Sequence, residues 1–188
     1  ATASRLASAP PALKTAVDSL YLAFILLPVG IYIVRPRPRA RDGRLEARVA
    51  AFVGTLILLA VPRLPGDFTY TPPGWLLATA TVALLGAYAL AVWGLLYLRK
   101  SFSIIPEARR VVSGGPYRVI RHPLYTAEII AGICASLRSP RPLAFLAVVL
   151  FIGAQVLRSV FEERLLSRTF PEYSEYRSRT WRMIPFVV

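Results

Sequence analysis

The chain has 188 residues, 55% of them hydrophobic, with a mean hydropathy of +0.52; a soluble domain of this length is about half apolar with many charges, so the membrane class comes first. The net charge of +13 is not read as nucleic-acid binding, which needs a basic face on a soluble scaffold, because the charges here sit between apolar runs. Cys134, alone inside an apolar run, and His122, the one histidine, exclude a disulfide framework, a cysteine-based zinc site and the usual metal clusters, so no metal is expected.

Five apolar stretches follow in chain order, each read as a membrane span on the requirement of roughly 20 residues per crossing. The first, roughly Thr15 to Val34, contains Pro28 and Gly30, which spanning helices tolerate. Its apolar part is longer than the core of a signal peptide and no small-residue cleavage site follows it, so it is expected to be retained. RPRPRARDGR, residues 35–44, is a loop by its proline, glycine and charge content. The second stretch runs roughly from Leu45 to Pro62, and the third, Gly74 to Leu98, carries Trp75, Trp93 and Tyr97 near its ends, where an aromatic belt lies. The fourth starts at Pro123 and ends near Leu137; it is marginal in length and pairs as a short tilted hairpin with the fifth. That last stretch, Leu143 to about Val160, runs on through EERLL and is expected to project beyond the bilayer.

The charges support this count. Six arginines fall in residues 35–48, six basic residues in 99–121 and six more in 158–188, leaving five of the 23 elsewhere. Basic-rich and basic-poor loops therefore alternate, which by the positive-inside rule puts the amino terminus outside and the carboxyl terminus in the cytoplasm. The expected fold is an all-α integral membrane bundle of about five transmembrane helices, a single membrane domain over residues 1–188.

The connector RKSFSIIPEARRVVSGGPYRVIRHP, residues 99–123, holds most of the candidate chemistry. Gly114 and Gly115 permit a tight turn with positive φ, and Pro123 suits the first position of a helix, where no N–H is needed. The amides of that first turn would make a partly positive pocket suited to a carboxylate, with Arg121 and His122 at its rim; the alternative is that both only snorkel to lipid phosphates. Glu128 lies inside the following span, where an ionisable group is a functional candidate by default, or pairs with an arginine of another span. Arg158 and Glu162 stand one turn apart at the inner end of the fifth span, either an ordinary ion pair or a pair placed to hold ligand groups. Tyr173, Tyr176, Trp181 and Arg182 read as an amphipathic segment lying on the membrane surface.

The ordered run SGGPYRVIRHPLY, then FEERLL some 40 residues on, then FPEYSEYRSRTWRMIP, resembles the isoprenylcysteine carboxyl methyltransferase family and its phospholipid methyltransferase relatives over about residues 95 to 186. The resemblance implies an integral membrane enzyme using S-adenosylmethionine. Its cofactor would lie in a cytoplasmic pocket closed by the connector and the C-terminal segment. Residues 15–98 then supply the first three helices and residues 99–188 the catalytic half.

By position, the family's His-Pro-x-Tyr motif falls on His122, Pro123, Leu124 and Tyr125, and its G-x-Y tyrosine on Tyr117. The cofactor-lining connector stretch falls on Arg109 to Val112, with Arg110, Val111 and Val112 as contacts and a polar contact near Glu107. The cofactor glutamate falls on Glu162 and the substrate-side arginine on Arg158, the two residues expected to carry catalysis. Two departures bear on packing or pocket size. Ala127 stands where the family commonly has glycine, and the usual F-G-x-x-Y segment is one residue shorter, FPEY, with Pro171.

Methyl transfer from a sulfonium needs alignment and exclusion of water rather than a metal or covalent nucleophile. A carboxylate acceptor needs no general base, which suits a site poor in histidine. An amine or thiol acceptor needs one, and Glu128, Glu162 or His122 would serve. The expected partners are membrane lipids and a lipophilic acceptor entering from the bilayer. Its identity stays open between an isoprenylcysteine-like carboxylate, a phospholipid amine and a small thiol. Two more distant readings are an NADPH-dependent sterol-type reductase, which shares an R-H-P-x-Y motif but has around twice as many spans, and a lipid-binding scaffold, which explains the charges but not the ordered motif.

Overall fold

The computed structural model describes residues 10–60, 71–138 and 141–186; the expected end of the second stretch at Pro62 lies outside them. All five apolar stretches are helical: α1 (Pro11–Val34), α2 (Leu45–Ala60), α3 (Gly74–Leu98), α4 (Pro123–Arg138) and α5 (Pro142–Thr169), with a short α6 (Tyr173–Ser178). Among the described residues, three helices, the first, third and fifth, are long and apolar enough to cross a membrane. The described parts of α2 and α4 have 16 residues each, about 24 Å at 1.5 Å per residue.

Proline at the first turn starts α1, α4 and α5, where its missing N–H costs nothing. α1 turns Leu22, Leu26, Val29 and Ile33 outward, Ile33 at 80% exposure, a face that only lipid solvates well. The inward stripes are built from small residues. On α3 they are Ala80, Ala87, Ala91 and Gly94; on α2, Ala47, Ala51 and Gly54 are buried, and Ile57 further along packs on Ala144 and Ala147 of α5. Small side chains let helix axes approach closely where no hydrophobic driving force acts between helices in lipid. α3 packs between α1 and α4, and α2 packs on α5.

Two regions expected to be irregular are tied down. Ala40–Arg41 (β1) pairs antiparallel with Glu107–Ala108 (β2), in register Ala40 to Ala108 and Arg41 to Glu107, so the arginine-rich loop is stapled to the connector. Asp42 Oδ1 then accepts from both the amide and Nε of Arg44 at 3.0 Å, just ahead of α2. The Arg44 hydrogen bonds hold the Asp42 carboxyl below its usual value despite burial. The segment after α6 does not lie free on the membrane surface. Arg121 N donates to Trp181 O (2.7 Å), His122 N to Arg182 O (3.0 Å) and Trp181 N to Val119 O (3.0 Å). Tyr173 is fully buried and the Tyr176 hydroxyl donates to Tyr117 O at 2.8 Å. The segment is instead held to the connector by the Trp181 and Arg182 backbone and the Tyr176 hydroxyl, with Tyr173 packed against Ala108 and Phe170.

Gly115 takes φ +58°, and a Cβ there would come within 2.6 Å of the Tyr97 ring. Gly114 stays at φ −96°, so the left-handed turn rests on one glycine of the pair.

Candidate active site

One cavity of about 520 Å³ runs from the connector down between the helices, a size typical of a small-molecule site. Glu107, Arg110, Val111, Val112, Tyr117 and His122 line it, as do Leu124, Tyr125, Arg158 and Glu162. Pro123 is the one expected site residue off the wall: it is fully buried and sits against Gly94 of α3. Ala127 is also off the wall, packed with Ala91, Leu95 and Leu124, so the missing glycine changes the α3 to α4 contact and not the cavity.

The polar end is organised by a residue the sequence did not single out, Glu163. Its Oε1 accepts from Arg121 Nε (2.9 Å), Arg182 Nε (3.2 Å) and His122 Nε2 (3.1 Å), and its Oε2 from Arg182 (3.1 Å). A carboxylate only accepts, so the imidazole carries its hydrogen on Nε2. Arg121 and His122 are both buried and neither snorkels. Their backbone amides are taken by the C-terminal segment. The buried positions Phe151, Gln155, Ser159 and Glu163 of α5 recur every fourth residue along one face of the helix.

Glu162, on the next position, faces the cavity. It accepts from the Tyr125 hydroxyl at 2.9 Å, lies 3.6 Å from His122 Nδ1 and keeps 27% of its side chain exposed, against 4% for Glu163. The His122 and Tyr125 rings lie parallel, 2° apart in tilt, with centroids at 5.3 Å.

Arg158 and Glu162 are not bonded to each other. The Tyr125 ring lies under the Arg158 guanidinium at 4.8 Å, while its hydroxyl goes to Glu162. Arg158 turns the other way, donating to Gln155 Oε1 (2.8 Å) and Ile104 O (3.0 Å); the Gln155 amide in turn donates to Glu128. Arg158 is 5% exposed and its Nε has no hydrogen-bond partner. Gly54 of α2 makes room for this group: a Cβ there would stand 3.0 Å from Arg158 Cδ and 3.1 Å from Gln155 Oε1.

Glu107 belongs to a separate cluster at the rim. Its Oε2 accepts from Ser103 (2.7 Å), Arg109 (2.7 Å) and Arg35 (3.2 Å), and Arg41 Nε lies 2.8 Å from Oε1. Burial opposes the charged form, but the Ser103 and Arg109 hydrogen bonds outweigh it and hold this carboxyl below its usual value. Burial pushes the Tyr117, Tyr173 and Tyr176 hydroxyls well up, so all three stay protonated. Beyond Arg158 the wall turns apolar, with Phe24, Ile25 and Pro28 from α1, Ala131 and Ala135 from α4 and Phe151 from α5. From Tyr125 to Ala135 this wall extends about 15 Å along α4.

A mostly helical chain with long apolar helices and a cavity polar at one end and apolar at the other defines a membrane protein with an internal cavity. Residues 73–173 match the phospholipid methyltransferase family, and the chain belongs to it, the family of isoprenylcysteine carboxyl methyltransferase-like membrane methyltransferases. It is 37% identical over 116 residues to the nickel-cobalt-cadmium resistance protein NccN of Alcaligenes xylosoxydans xylosoxydans, covering 57% of this chain and 50% of that one. It is 33% identical over 112 residues to the cobalt-zinc-cadmium resistance protein CzcN of Cupriavidus metallidurans, covering 56% and 48%. The chain thus spans about half the length of these curated relatives.

Proposed function

We propose that the chain is a membrane methyltransferase that moves a methyl group from S-adenosylmethionine to the carboxylate of a lipophilic, isoprenylcysteine-like acceptor. The carrying observation is the continuity of one cavity from a polar mouth at the connector to an apolar floor between the helices, with Arg158 at the junction. That arrangement suits a soluble cofactor arriving from the cytoplasmic side and a lipid-tailed acceptor arriving from the bilayer.

The donor set fits the cofactor. Glu162 has a part-exposed carboxylate for ribose hydroxyls or an ammonium, Arg110 at the rim suits a carboxylate, and Tyr117, Leu124 and the chain at Val111 and Val112 supply wall for the base. When bound, S-adenosylmethionine supplies an electrophilic methyl whose C–S bond breaks with its electron pair passing to sulfur as an acceptor oxygen forms the new bond. The stacked His122 and Tyr125 rings offer π faces to a positive charge. Arg158 orients the acceptor carboxylate, and its partners Gln155 and Ile104 O keep the guanidinium from moving as the acceptor reacts. The apolar wall excludes water from the reacting atoms. A carboxylate loses no proton, so none of these residues has to act as base. Transfer to an amine or thiol is a second reading, favoured by Glu128 at the junction as a proton acceptor.

Calorimetry on detergent-purified protein tests the cofactor: S-adenosylhomocysteine is expected to bind in the micromolar range and to be weakened strongly by Glu162→Ala. Radiolabelled methyl transfer to a prenylated cysteine analogue, to phosphatidylethanolamine and to small thiols tests the acceptor. Well-folded protein that does not bind S-adenosylhomocysteine overturns the reading.

A further inference from the structure

Arg99, the residue at which α3 ends, has φ +46° and ψ −130°. A glycine adopts such backbone freely and a side chain resists it, yet the chain keeps an arginine there. Its Nε donates to Leu96 O at 3.2 Å, and its two Nη groups have no hydrogen-bond partner among the described residues. A cation gains from the dipole at a helix C-terminus, but Lys100, one residue on, gains the same without positive φ. The strained position does something else: it makes Arg99 part of the wall of a second groove, of about 510 Å³. This groove shares Arg110, Val111 and Val112 with the main cavity and is otherwise separate from it.

One half of the groove is apolar. Leu96 and Tyr97 line it, exposed on α3 together with Trp93, and the Tyr97 ring is fixed edge to face against Trp93 and under Gly114 and Gly115. Exposed tryptophan and tyrosine at the end of a helix of spanning length mark the headgroup level of a bilayer. The other half is made of donors. Neither Arg99 nor Arg110 has a carboxylate partner among the described residues; Arg110 Nε donates to Ser101 Oγ. The amides of Val112, Ser113 and Gly114 donate to no carbonyl among the described residues, although backbone N–H groups are obligatory donors. Unanswered cations and amides beside an apolar floor call for an anion with several oxygens on a hydrocarbon tail, and guanidinium matches phosphate in geometry as well as charge.

We propose that this groove binds the phosphate of an anionic phospholipid, with Arg99 and the amides of residues 112–114 on its oxygens and the acyl chains along Leu96 and Trp93. The lipid is a resident ligand outside the cavity and not a methyl acceptor, so the site stands independently of the methyltransferase reading. Basic pockets at the membrane boundary hold anionic headgroups in this way.

Calorimetry on the full chain in neutral detergent compares dioctanoyl phosphatidylglycerol, dioctanoyl phosphatidylcholine and inorganic phosphate, with the circular dichroism melt as the fold control. Phosphatidylglycerol is expected to bind about tenfold or more tightly than the other two, because choline brings an ammonium that two guanidiniums repel and free phosphate has no tail. Arg99→Gly is expected to cut that affinity about tenfold with the melting temperature kept, a combination that a mere helix cap does not give; Arg99→Gln decides the matter if the glycine variant does not fold. Arg37→Gln removes an exposed arginine from outside the groove and is expected to leave the affinity unchanged. Equal binding of the two lipids, an affinity that survives Arg99→Gly, an equal loss in Arg37→Gln, or inorganic phosphate binding as tightly as phosphatidylglycerol each overturns the site.

Discussion

Glu162 and Glu163 are adjacent in sequence and are expected to fail in opposite ways. Glu163→Gln removes the charge that Arg121, His122 and Arg182 share, and of the two arginines Arg121 is the one that cannot reach water, at 6% side-chain exposure against 27% for Arg182. Breaking a buried pair costs about 3–5 kcal/mol when a whole partner charge is stranded. Glutamine retains one acceptor, and Arg121 keeps its bonds to the carbonyls of Arg177 and Thr180, so about 2–3 kcal/mol is expected. Glu162→Gln loses the charge from a part-exposed carboxylate with one tyrosine donor, about 1 kcal/mol at most. Thermal unfolding in detergent followed by helical circular dichroism measures both, with limited proteolysis after Arg177 or Arg179 reporting release of the C-terminal segment. S-adenosylhomocysteine titration of the same samples is expected to weaken about tenfold or more for Glu162→Gln and little for the folded fraction of Glu163→Gln. A stable Glu163→Gln with a bound C-terminal segment, or a Glu162→Gln that unfolds, refutes the division of roles.

Gly115→Ala is expected to destabilise by at least about 2 kcal/mol, since left-handed backbone alone costs 1–2 and the new methyl meets the Tyr97 ring at 2.6 Å; an unchanged melting temperature contradicts this. Gly54→Leu drives a side chain into Arg158 and Gln155 and should raise the acceptor KM with S-adenosylhomocysteine affinity kept, a split that uniform misfolding does not give. Glu107 has a folded-state pKa below its unfolded value, so its stabilisation is complete above the ordinary carboxylate range and fades as pH falls through the lowered value. The melting-temperature gap between wild type and Glu107→Gln should therefore be widest near pH 7 and shrink below about pH 4; a gap that grows on acidification has the wrong sign.

Local pattern carried the helices well. Proline starts and apolar runs gave all five, because both signals sit within a few residues. The motif positions around His122 and Glu162 were legible for the same reason, and all but Pro123 reach the cavity. Partnerships across long sequence separation were not legible. Nothing near Ala40 announces Ala108, Gly54 looks like any glycine in an apolar helix until Arg158 is set against it, and the aromatic C-terminal stretch is compatible with a membrane surface until Trp181 pairs with Val119 and Arg121. Glu163 was passed over because its neighbour matched the motif, and the buried row it belongs to, Phe151, Gln155, Ser159 and Glu163, is too polar to show as a stripe in the sequence.

The packing of α2 against α5 places a constraint on biogenesis. α2 leaves the ribosome early, with 16 residues and an arginine in its first turns, and its main packing surface, the Ala47, Ala51 and Gly54 stripe, has no match until α5 has been made. The Arg158 side chain that Gly54 receives is itself synthesised last among these groups. α2 must therefore wait with this face uncovered until α5 has been made, and the step that closes the α2 to α5 contact is the same step that seats the guanidinium in the cavity wall.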